Sequence, residues 1–341
     1  MQKKLIITGG GTAGHVIPCI AVAQRLEGWE IHYIGRHEGI ERELAEKHGI
    51  TYHGIDCPRF LRNKPWTLLS VPFKLRAAKK QAKRLLDEIK ADVIFSKGGY
   101  VSLPVVLAAG KIPVVLHESD RSFGLANKLV LRKCKAVCSS FPMGRLTVTH
   151  TGSPLLKSVY EASADAARRL CAFDGSKPVL LVMGGSLGAK AINEAVMTDM
   201  DALTARFDVV HISGRGYGYK PKKGYYPVEF TDRVHSFMRL ADYAVTRGGG
   251  GALFELAALG VPSLIVPLPK GASRGDQIEN AAYFEKKGYA LTAAQSAIEK
   301  GGLISAVDRL CAEGGKIKAA LAGGNFDGSV QIAKIILNAA K

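Results

Sequence analysis

The sequence predicts an α/β protein made of two doubly wound domains, each a parallel sheet with helices on both faces. Three observations carry this. Short, continuously apolar runs alternate with amphipathic stretches from end to end, as they must where both faces of a strand are buried. The pattern strand, glycine loop, helix opens the chain and recurs near its middle. The chain has 341 residues, enough for two domains of roughly 100–200 residues each.

The strands follow in order. The first half offers residues 5–8 (LIIT), 31–35 (IHYIG), 92–96 (DVIFS), 113–117 (PVVLH) and 136–140 (AVCSS). Amphipathic segments such as 17–26 and 39–49 separate them. The second half offers 179–183 (VLLVM), 207–213 (FDVVHIS), 243–247 (YAVTR) and 262–268 (PSLIVPL). A hinge is expected at 150–157, where Gly152 and Pro154 break regular structure. The domains are therefore drawn as 1–153 and 154–325. A last helix, about 326–341, can pack back on the first domain, with Val330, Ala333, Ile336 and Leu337 on one face.

Composition narrows the function classes. Hydrophobic residues at 47% and charged residues at 23% exclude disorder, collagen and coiled coil. The net charge of +17 favours anionic partners: nucleic acid, phosphate-bearing ligands or an acidic membrane surface. The excess belongs to the first half, with 24 basic and 12 acidic side chains in residues 1–155 against 23 and 18 in 156–341. Nothing matches a nucleic-acid-binding signature, so no nucleic acid is expected as a partner. The six cysteines include no C-x-x-C pair and read as reduced thiols. The first apolar run is four residues long before glycine, a buried strand rather than a signal peptide. No apolar stretch reaches the ~18 residues that a membrane span needs.

The glycine loops carry the chemistry. Gly9-x-Gly11-x-x-Gly14 has dinucleotide-fingerprint spacing, but the second strand ends in Gly35-Arg36-His37, without the acid that such a site uses on a ribose. What survives is an anion-binding turn: glycine allows close backbone approach, and a helix start offers unpaired N–H groups. Gly184-Gly185-Ser186-Leu187-Gly188 has the same character, and Ser96-Lys97-Gly98-Gly99-Tyr100 follows another strand. Such loops at strand ends in both halves point to two Rossmann-like domains facing a ligand cleft.

Four stretches occur in order along nearly the whole chain: GGGTAGHVIP from residue 9, HES with GLAN between 117 and 127, GGSLGAKAIN over 184–193, and RGDQIENAAYFEKKGYA over 274–290. Together they resemble the MurG family. The resemblance implies the GT-B fold and an inverting glycosyltransferase of peptidoglycan synthesis. Such an enzyme moves N-acetylglucosamine from UDP-N-acetylglucosamine to the 4-hydroxyl of the muramoyl sugar of lipid I, giving lipid II. It implies no cofactor and no metal, and a cytoplasmic protein held peripherally on the inner face of the bacterial membrane. Two rival readings remain: another GT-B enzyme (a glycolipid synthase or a UDP-N-acetylglucosamine epimerase), and a paralogue that binds sugar nucleotide without turnover.

On the donor side, the resemblance puts Glu255 on the ribose hydroxyls, Gly185 and Ser186 on the diphosphate, and Gln277 and Asn280 on N-acetylglucosamine. It puts Phe230 and Thr231 where the backbone reads uracil, with a core phenylalanine the alternative for Phe230. Asp276 receives no role. The family carries Arg in the hinge where this chain has Leu156; Lys157, one place on, is a possible substitute but cannot reproduce a bidentate fork, which leaves the cation for the phosphates open. On the acceptor side stand Thr12, Gly14, Tyr100, His117 and Asn127. His15 is the expected base, or else a contact to an acceptor phosphate; near a helix N-terminus an imidazole stays neutral and available. Glu118 is either the base or the residue that orients it. The remaining histidines, at 32, 37, 48, 53, 150, 211 and 235, are expected to be structural or exposed. Asp199-x-Asp201 imitates a metal-holding pair but lies in a helical stretch, where residues two apart diverge, and reads as solvated surface.

Residues 59–84 hold nine Lys or Arg and no acid, interleaved with Trp66, Leu68, Leu69, Val71, Phe73 and Leu75. Basic residues around apolar ones suit an interfacial anchor on anionic lipid, at about 1 kcal/mol per basic residue.

Overall fold

The computed structural model describes residues 2–57, 71–144, 147–185, 188–271 and 275–341. The chain forms two compact units. Met1–Leu156 with Asp327–Lys341 make the first, and Lys157–Phe326 the second.

Unit 1 runs β1 (Lys4–Gly9), α1 (Ala13–Ala23), β2 (Glu30–Arg36), α2 (Ile40–Lys47), β3 (Thr51–Ile55), α3 (Val71–Ile89), β4 (Val93–Gly98), α4 (Ser102–Ala108), β5 (Val114–Glu118), α5 (Leu125–Val130), β6 (Ala136–Ser139) and β7 (Val148–His150). Its sheet has the order β3-β2-β1-β4-β5-β6-β7, and every pairing is parallel. Strand periodicity explains the double covering. In β1, Leu5 and Ile7 point into a core with Val16, Cys19 and Ile20 of α1. Ile6 points the other way, into a core with Leu86 of α3 and Leu103 of α4. Strand order reverses between β1 and β4, so their carboxyl-terminal loops diverge and leave a crevice.

Unit 2 runs α6 (Ser158–Glu161), α7 (Ala164–Cys171), β8 (Val179–Met183), α8 (Lys190–Thr198), α9 (Met200–Arg206), β9 (Asp208–Ile212), β10 (Tyr225–Val228), α10 (Val234–Leu240), β11 (Tyr243–Thr246), α11 (Gly250–Ala258), β12 (Ser263–Ile265), α12 (Asp276–Lys286), β13 (Leu291–Thr292), α13 (Gln295–Ile298) and α14 (Gly302–Ala322). The order β10-β9-β8-β11-β12-β13, again parallel, puts the reversal between β8 and β11.

Four strands have no counterpart in the sequence reading: β3, β7, β10 and β13. β3 mixes Thr51, His53 and Gly54 into its run, and β7 is half exposed. Edge and near-edge strands need no continuous apolar run, so periodicity misses them.

A second difference concerns Asp199, expected on solvated surface. It is 7% exposed, and its Oδ2 accepts from the backbone N–H of Ile304 at 2.8 Å. It thus satisfies an orphan donor in the first turn of the 21-residue helix α14. The turn between α8 and α9 brings Asp199 there, which residue spacing within one helix does not reveal. Asp201 is solvated and pairs with Lys222 at 2.9 Å.

The last helix, α15 (Ser329–Ala339), returns to unit 1 and packs on α1, β4, β5 and β6. Its buried face is Ser329, Ile332, Ala333, Ile336 and Ala339. Val330 and Leu337 of the expected face are 54% and 40% exposed. An anchor sets the helix roll. The buried Ser329 hydroxyl accepts from the Leu155 N–H at 2.8 Å, and its one proton lies within reach of the Leu155 carbonyl at 3.0 Å and the Asp327 carboxylate at 2.5 Å. That turns Ile332 and Ile336 inward. Burying two isoleucines supplies about 3–6 kcal/mol, more than the hydroxyl's net share of roughly 1 kcal/mol. Apolar contact therefore holds the helix, while Ser329 selects the face. Ser329→Ala should lower stability by roughly 1–3 kcal/mol, because both Leu155 groups lose their partner in a buried site. Urea unfolding at pH 7 measures it, and a loss below about 0.5 kcal/mol would remove the anchor.

Candidate functional site

In unit 1 the loops after β1, β4 and β5 meet. A Cβ on Gly99 would lie 2.6 Å from the Gly10 carbonyl, and one on Gly11 would lie 2.9 Å from the Tyr100 ring. Gly98, at φ +89°, faces Asn127, whose amide would stand 2.4 Å from a Cβ there. The Tyr100 hydroxyl accepts from Arg36 at the end of β2, at 3.1 Å. Thr12 is the N-cap of α1, yet its hydroxyl caps no backbone N–H. It bonds His15 Nδ1 at 3.0 Å instead. His15 sits half-buried in the first turn, with Gly14 exposed beside it. The structure thus brings Thr12, Gly14, His15 and Tyr100 to one sheet edge.

Three expected residues lie beneath that edge, where they hold it together. Glu118 is 6% exposed, and its carboxylate accepts from the N–H groups of Ser119 at 2.9 Å, Asp120 at 3.2 Å and Gly124 at 3.0 Å. Asn127 Nδ2 adds a fourth bond at 2.8 Å. A carboxylate with four donors has its lone pairs occupied. The geometry therefore speaks against Glu118 as base; its bonds run to the loop from Ser119 to Gly124 and to Asn127. Asn127 is 4% exposed and braces Glu118. His117 is 0% exposed and bonds the Gly152 carbonyl at 3.1 Å. Burial, with Lys97 nearby, holds its imidazole well below the usual range. It is a core histidine, because alternation in β5 turns His117 inward where Glu118 reaches the loop.

Lys97 escaped the sequence reading. It is 1% exposed, and its ammonium donates to the Ser119 hydroxyl. Burial pushes its pKa down, while Glu118 and Asp120 oppose that. The sequence places it in the glycine-rich loop after a strand but gives no sign that this one cation is buried.

Unit 2 contains a cavity of about 670 Å³ at the carboxyl ends of β8 and β11. Gly184, Gly185 and Gly188 of the loop, Lys190 of α8, Arg247 after β11 and Gln277 of α12 line it, with Gln295 and Glu299. The loop geometry demands glycine: a Cβ on Gly188 (φ +76°) would lie 2.4 Å from the Ser213 carbonyl. Gln277 Oε1 accepts from the Leu268 N–H at 3.1 Å. Arg247 is 7% exposed, and donates to the Val266 carbonyl and to Gln295 Oε1, each at 3.0 Å. Burial pushes its pKa down, but a guanidinium stays charged, with further N–H groups to offer.

Of the other expected donor-side residues, Ser186 lies outside the described residues. Asn280 is 0% exposed and donates to the Gly248 carbonyl at 3.1 Å, so it holds the turn before α11. Thr231 accepts from the Arg233 N–H at 2.9 Å, and Phe230 is 60% exposed with the Arg215 guanidinium 5.2 Å from its ring centre. Phe230 is therefore not a core residue. Glu255 lies on α11 outside the cavity wall, facing His235 at 3.5 Å. Leu156 is 6% exposed and packs with Ile332, Ala333 and Ile336 of α15. The apolar side chain at that hinge position belongs to the core of unit 1.

The glycosyltransferase family 28 N-terminal domain matches residues 5–139, and the corresponding C-terminal domain matches residues 179–328. A UDP-N-acetylglucosamine–N-acetylmuramyl-(pentapeptide) pyrophosphoryl-undecaprenol N-acetylglucosamine transferase of Geobacillus thermodenitrificans is 42% identical over 324 residues, 91% of each chain. The transferase of the same name from Clostridium botulinum strain Hall is 42% identical over 325 residues, again 91% of each. The crystal structure of Acinetobacter baumannii MurG superposes with a TM-score of 0.76 at 25% identity, covering 98% of this chain and 99% of that one.

A buried polar network supports the second glycine loop. His211 is 0% exposed; its ring bonds Tyr225 at 2.9 Å and Asn193 at 3.0 Å, and Asn193 donates to the Ser213 carbonyl at 2.8 Å. Burial pushes the His211 imidazole down to about 4. In the unfolded chain it titrates near 6.5, so between those values the unfolded state binds more protons. The neutral ring therefore contributes stability that is present above about pH 6.5 and is lost as pH falls toward 4, to the extent of about 3 kcal/mol. Urea unfolding of His211→Gln should show a flatter pH dependence across that window. An unchanged slope would reject the assignment.

Proposed function

The chain belongs to glycosyltransferase family 28 and to the MurG family within it, and on that premise we propose that it is the N-acetylglucosaminyltransferase that converts lipid I to lipid II. The observation that carries this reading is the unit 2 cavity, where a glycine loop and helix start meet the cations Lys190 and Arg247 and the amide of Gln277. Unpaired N–H groups and fixed positive charge suit a diphosphate. The amide suits sugar hydroxyls, since it both donates and accepts.

On the donor side, Gly185, with the adjoining loop that includes Ser186, takes the diphosphate of UDP-N-acetylglucosamine, and Gln277 takes the sugar. The backbone at Thr231 reads uracil beside the exposed Phe230 ring. Glu255 accepts from the two ribose hydroxyls, a charge-assisted pair of bonds. Arg247 supplies the positive charge that Leu156 cannot.

On the acceptor side, His15 is the base. With Nδ1–H donating to Thr12, the lone pair of Nε2 takes the proton of the muramoyl 4-hydroxyl. The oxygen attacks the sugar's anomeric carbon from the face opposite UDP, the bond to the β-phosphate oxygen breaks, and configuration inverts. Charge developing on UDP is offset by the amides, the start of α8 and Arg247. Thr12 and Tyr100 shape the acceptor edge. Glu118 and Asn127 keep the loop from Ser119 to Gly124 in place.

The polyprenyl tail of the acceptor stays in the bilayer, so the enzyme must meet an anionic membrane surface. α3 buries Ala78, Ala82, Leu86 and Ile89 and exposes Phe73, Lys74, Arg76, Lys79, Lys80, Lys83 and Arg84. On α5, Leu125 and Leu129 are 66% and 60% exposed, one turn apart. Trp66, Leu68 and Leu69 of the anchor drawn from the sequence lie outside the described residues. Among the described residues no helix is long and apolar enough to cross a membrane.

A transfer assay tests the whole reading. With labelled UDP-N-acetylglucosamine, a soluble lipid I analogue and chelator present, label should move into the glycolipid. Release of free sugar or epimer alone would overturn the reading. His15→Ala should lower kcat by roughly 10²–10⁴-fold with little change in donor KM. A rise in acceptor KM alone would make His15 a phosphate contact instead. Phe73→Ser combined with Leu125→Ser should weaken co-flotation with anionic vesicles; undiminished flotation would locate the anchor elsewhere.

A further inference from the structure

Building on the reading that Glu255 holds the ribose hydroxyls, we infer that His235 is a positioning residue that fixes the Glu255 carboxylate in advance of the nucleotide. His235 lies on α10 and is 8% exposed. Its Nε2 stands 3.5 Å from Glu255 Oε1. Its Nδ1 is 2.8 Å from the hydroxyl of Ser158, the first residue of α6. The two side chains of the pair are only 11% and 15% exposed.

The arrangement bridges three helices and satisfies the ring whatever its charge. A neutral ring with the proton on Nε2 presents that edge to Glu255 at 3.5 Å and accepts the Ser158 hydroxyl proton at Nδ1. An imidazolium donates to the Ser158 oxygen and pairs its charge with Glu255 at 3.5 Å. Either way Ser158 and Glu255 fix the ring's roll, and the ring directs one carboxylate oxygen. The consequence falls on the ligand side. A glutamate has three side-chain torsions, and ordering them on binding costs affinity. A cis-diol donates two hydrogen bonds to one carboxylate only if the plane of that carboxylate is set. Bracing one oxygen beforehand sets it and leaves the outer lone pairs for the ribose. Most of Glu255's exposure is already removed by its surroundings, so an unbraced carboxylate would also be a partly desolvated charge drawn toward water.

Substrate deletion separates positioning from mere structural support. Calorimetric titration of the full chain with UDP and with 2′,3′-dideoxy-UDP gives a ratio of affinities that reports only the ribose hydroxyls. In the unaltered protein this ratio should be roughly a hundredfold, as two charge-assisted bonds imply. Glu255→Ala should bring the ratio to about one. His235→Phe keeps the ring shape without its N–H groups. It should cut the ratio roughly tenfold while leaving dideoxy-UDP affinity unchanged. His235→Gln, which can still place an amide N–H near Glu255, should recover most of the loss. Ser158→Ala, which keeps the imidazole and removes its anchor, should shift the ratio in the same direction by less, and reads the effect even if His235→Phe fails to fold. A full ratio in His235→Phe, or in Ser158→Ala if the former is unfolded, overturns the inference. So does an equal loss of affinity for both nucleotides. A full ratio in Glu255→Ala overturns the ribose reading itself, and the inference with it.

Discussion

Both units depend on backbone approaching backbone more closely than any side chain allows. At the carboxyl end of β4, a Cβ on Gly99 would stand 2.6 Å from the Gly10 carbonyl. At the end of β8, one on Gly188 would stand 2.4 Å from the Ser213 carbonyl. Real Cβ atoms do not come that near to carbonyl oxygens, so a methyl group at either place would force the loops apart. Strand order reverses beside these loops, and the helix starts they feed present unpaired N–H groups. The anion-binding character of each unit thus follows from main-chain geometry. Side chains then distinguish what is bound.

Close loops need a rigid floor, and each unit builds one from buried polar groups. In unit 1 the floor is Glu118, with three backbone N–H groups and Asn127 on one carboxylate. In unit 2 it is His211 between Tyr225 and Asn193. An unsatisfied buried polar group costs roughly 1–3 kcal/mol, so these networks hold only when nearly complete. Among the described residues the unit 1 floor keeps two buried atoms without a partner, Asn127 Oδ1 and His117 Nδ1. Both lie under the acceptor edge, where loop position matters most.

What the sequence made legible follows the same division. Buried strands β1, β4, β5, β8 and β9 announce themselves as apolar runs, because both their faces are covered. The glycine loops announce themselves because no other residue type fits. Edge strands such as β3 and β10 were illegible, since partial exposure removes the pattern. Site residues divide by distance along the chain. Thr12 and His15 form a local pair within one helical turn, and spacing finds such pairs. The saturation of Glu118, the inward turn of His117 and Asn280, and the bracing of Glu255 by His235 arise from elements joined only by folding. His235 lies twenty residues before Glu255, with a strand between them. The register of α15 was missed for a related reason: the Leu155 backbone, 174 positions away, sets its roll.

The apolar residue at Leu156 decides where positive charge can act in the proposed reaction. That side chain is committed to the packing of α15, so the cation must come from elsewhere, and two candidates line the unit 2 cavity. Lys190 has a side chain 79% exposed, and shares its charge with Glu194 at 3.6 Å. Arg247 is 7% exposed, and its hydrogen-bond partners among the described residues are a carbonyl and an amide oxygen, with no carboxylate. At 4 Å a unit charge interacts with another at about 1 kcal/mol in water but about 4 kcal/mol near a protein surface. A solvated, already paired ammonium therefore contributes little to a transferring phosphate. A buried guanidinium with fixed geometry and remaining N–H groups contributes several-fold more, and it costs no side-chain ordering when the nucleotide arrives. Moving the cation from a hinge to a strand end also places it on the same rigid sheet as the loop that holds the diphosphate. Charge and amides then act from one framework, through the strand β11 that Arg247 directly follows.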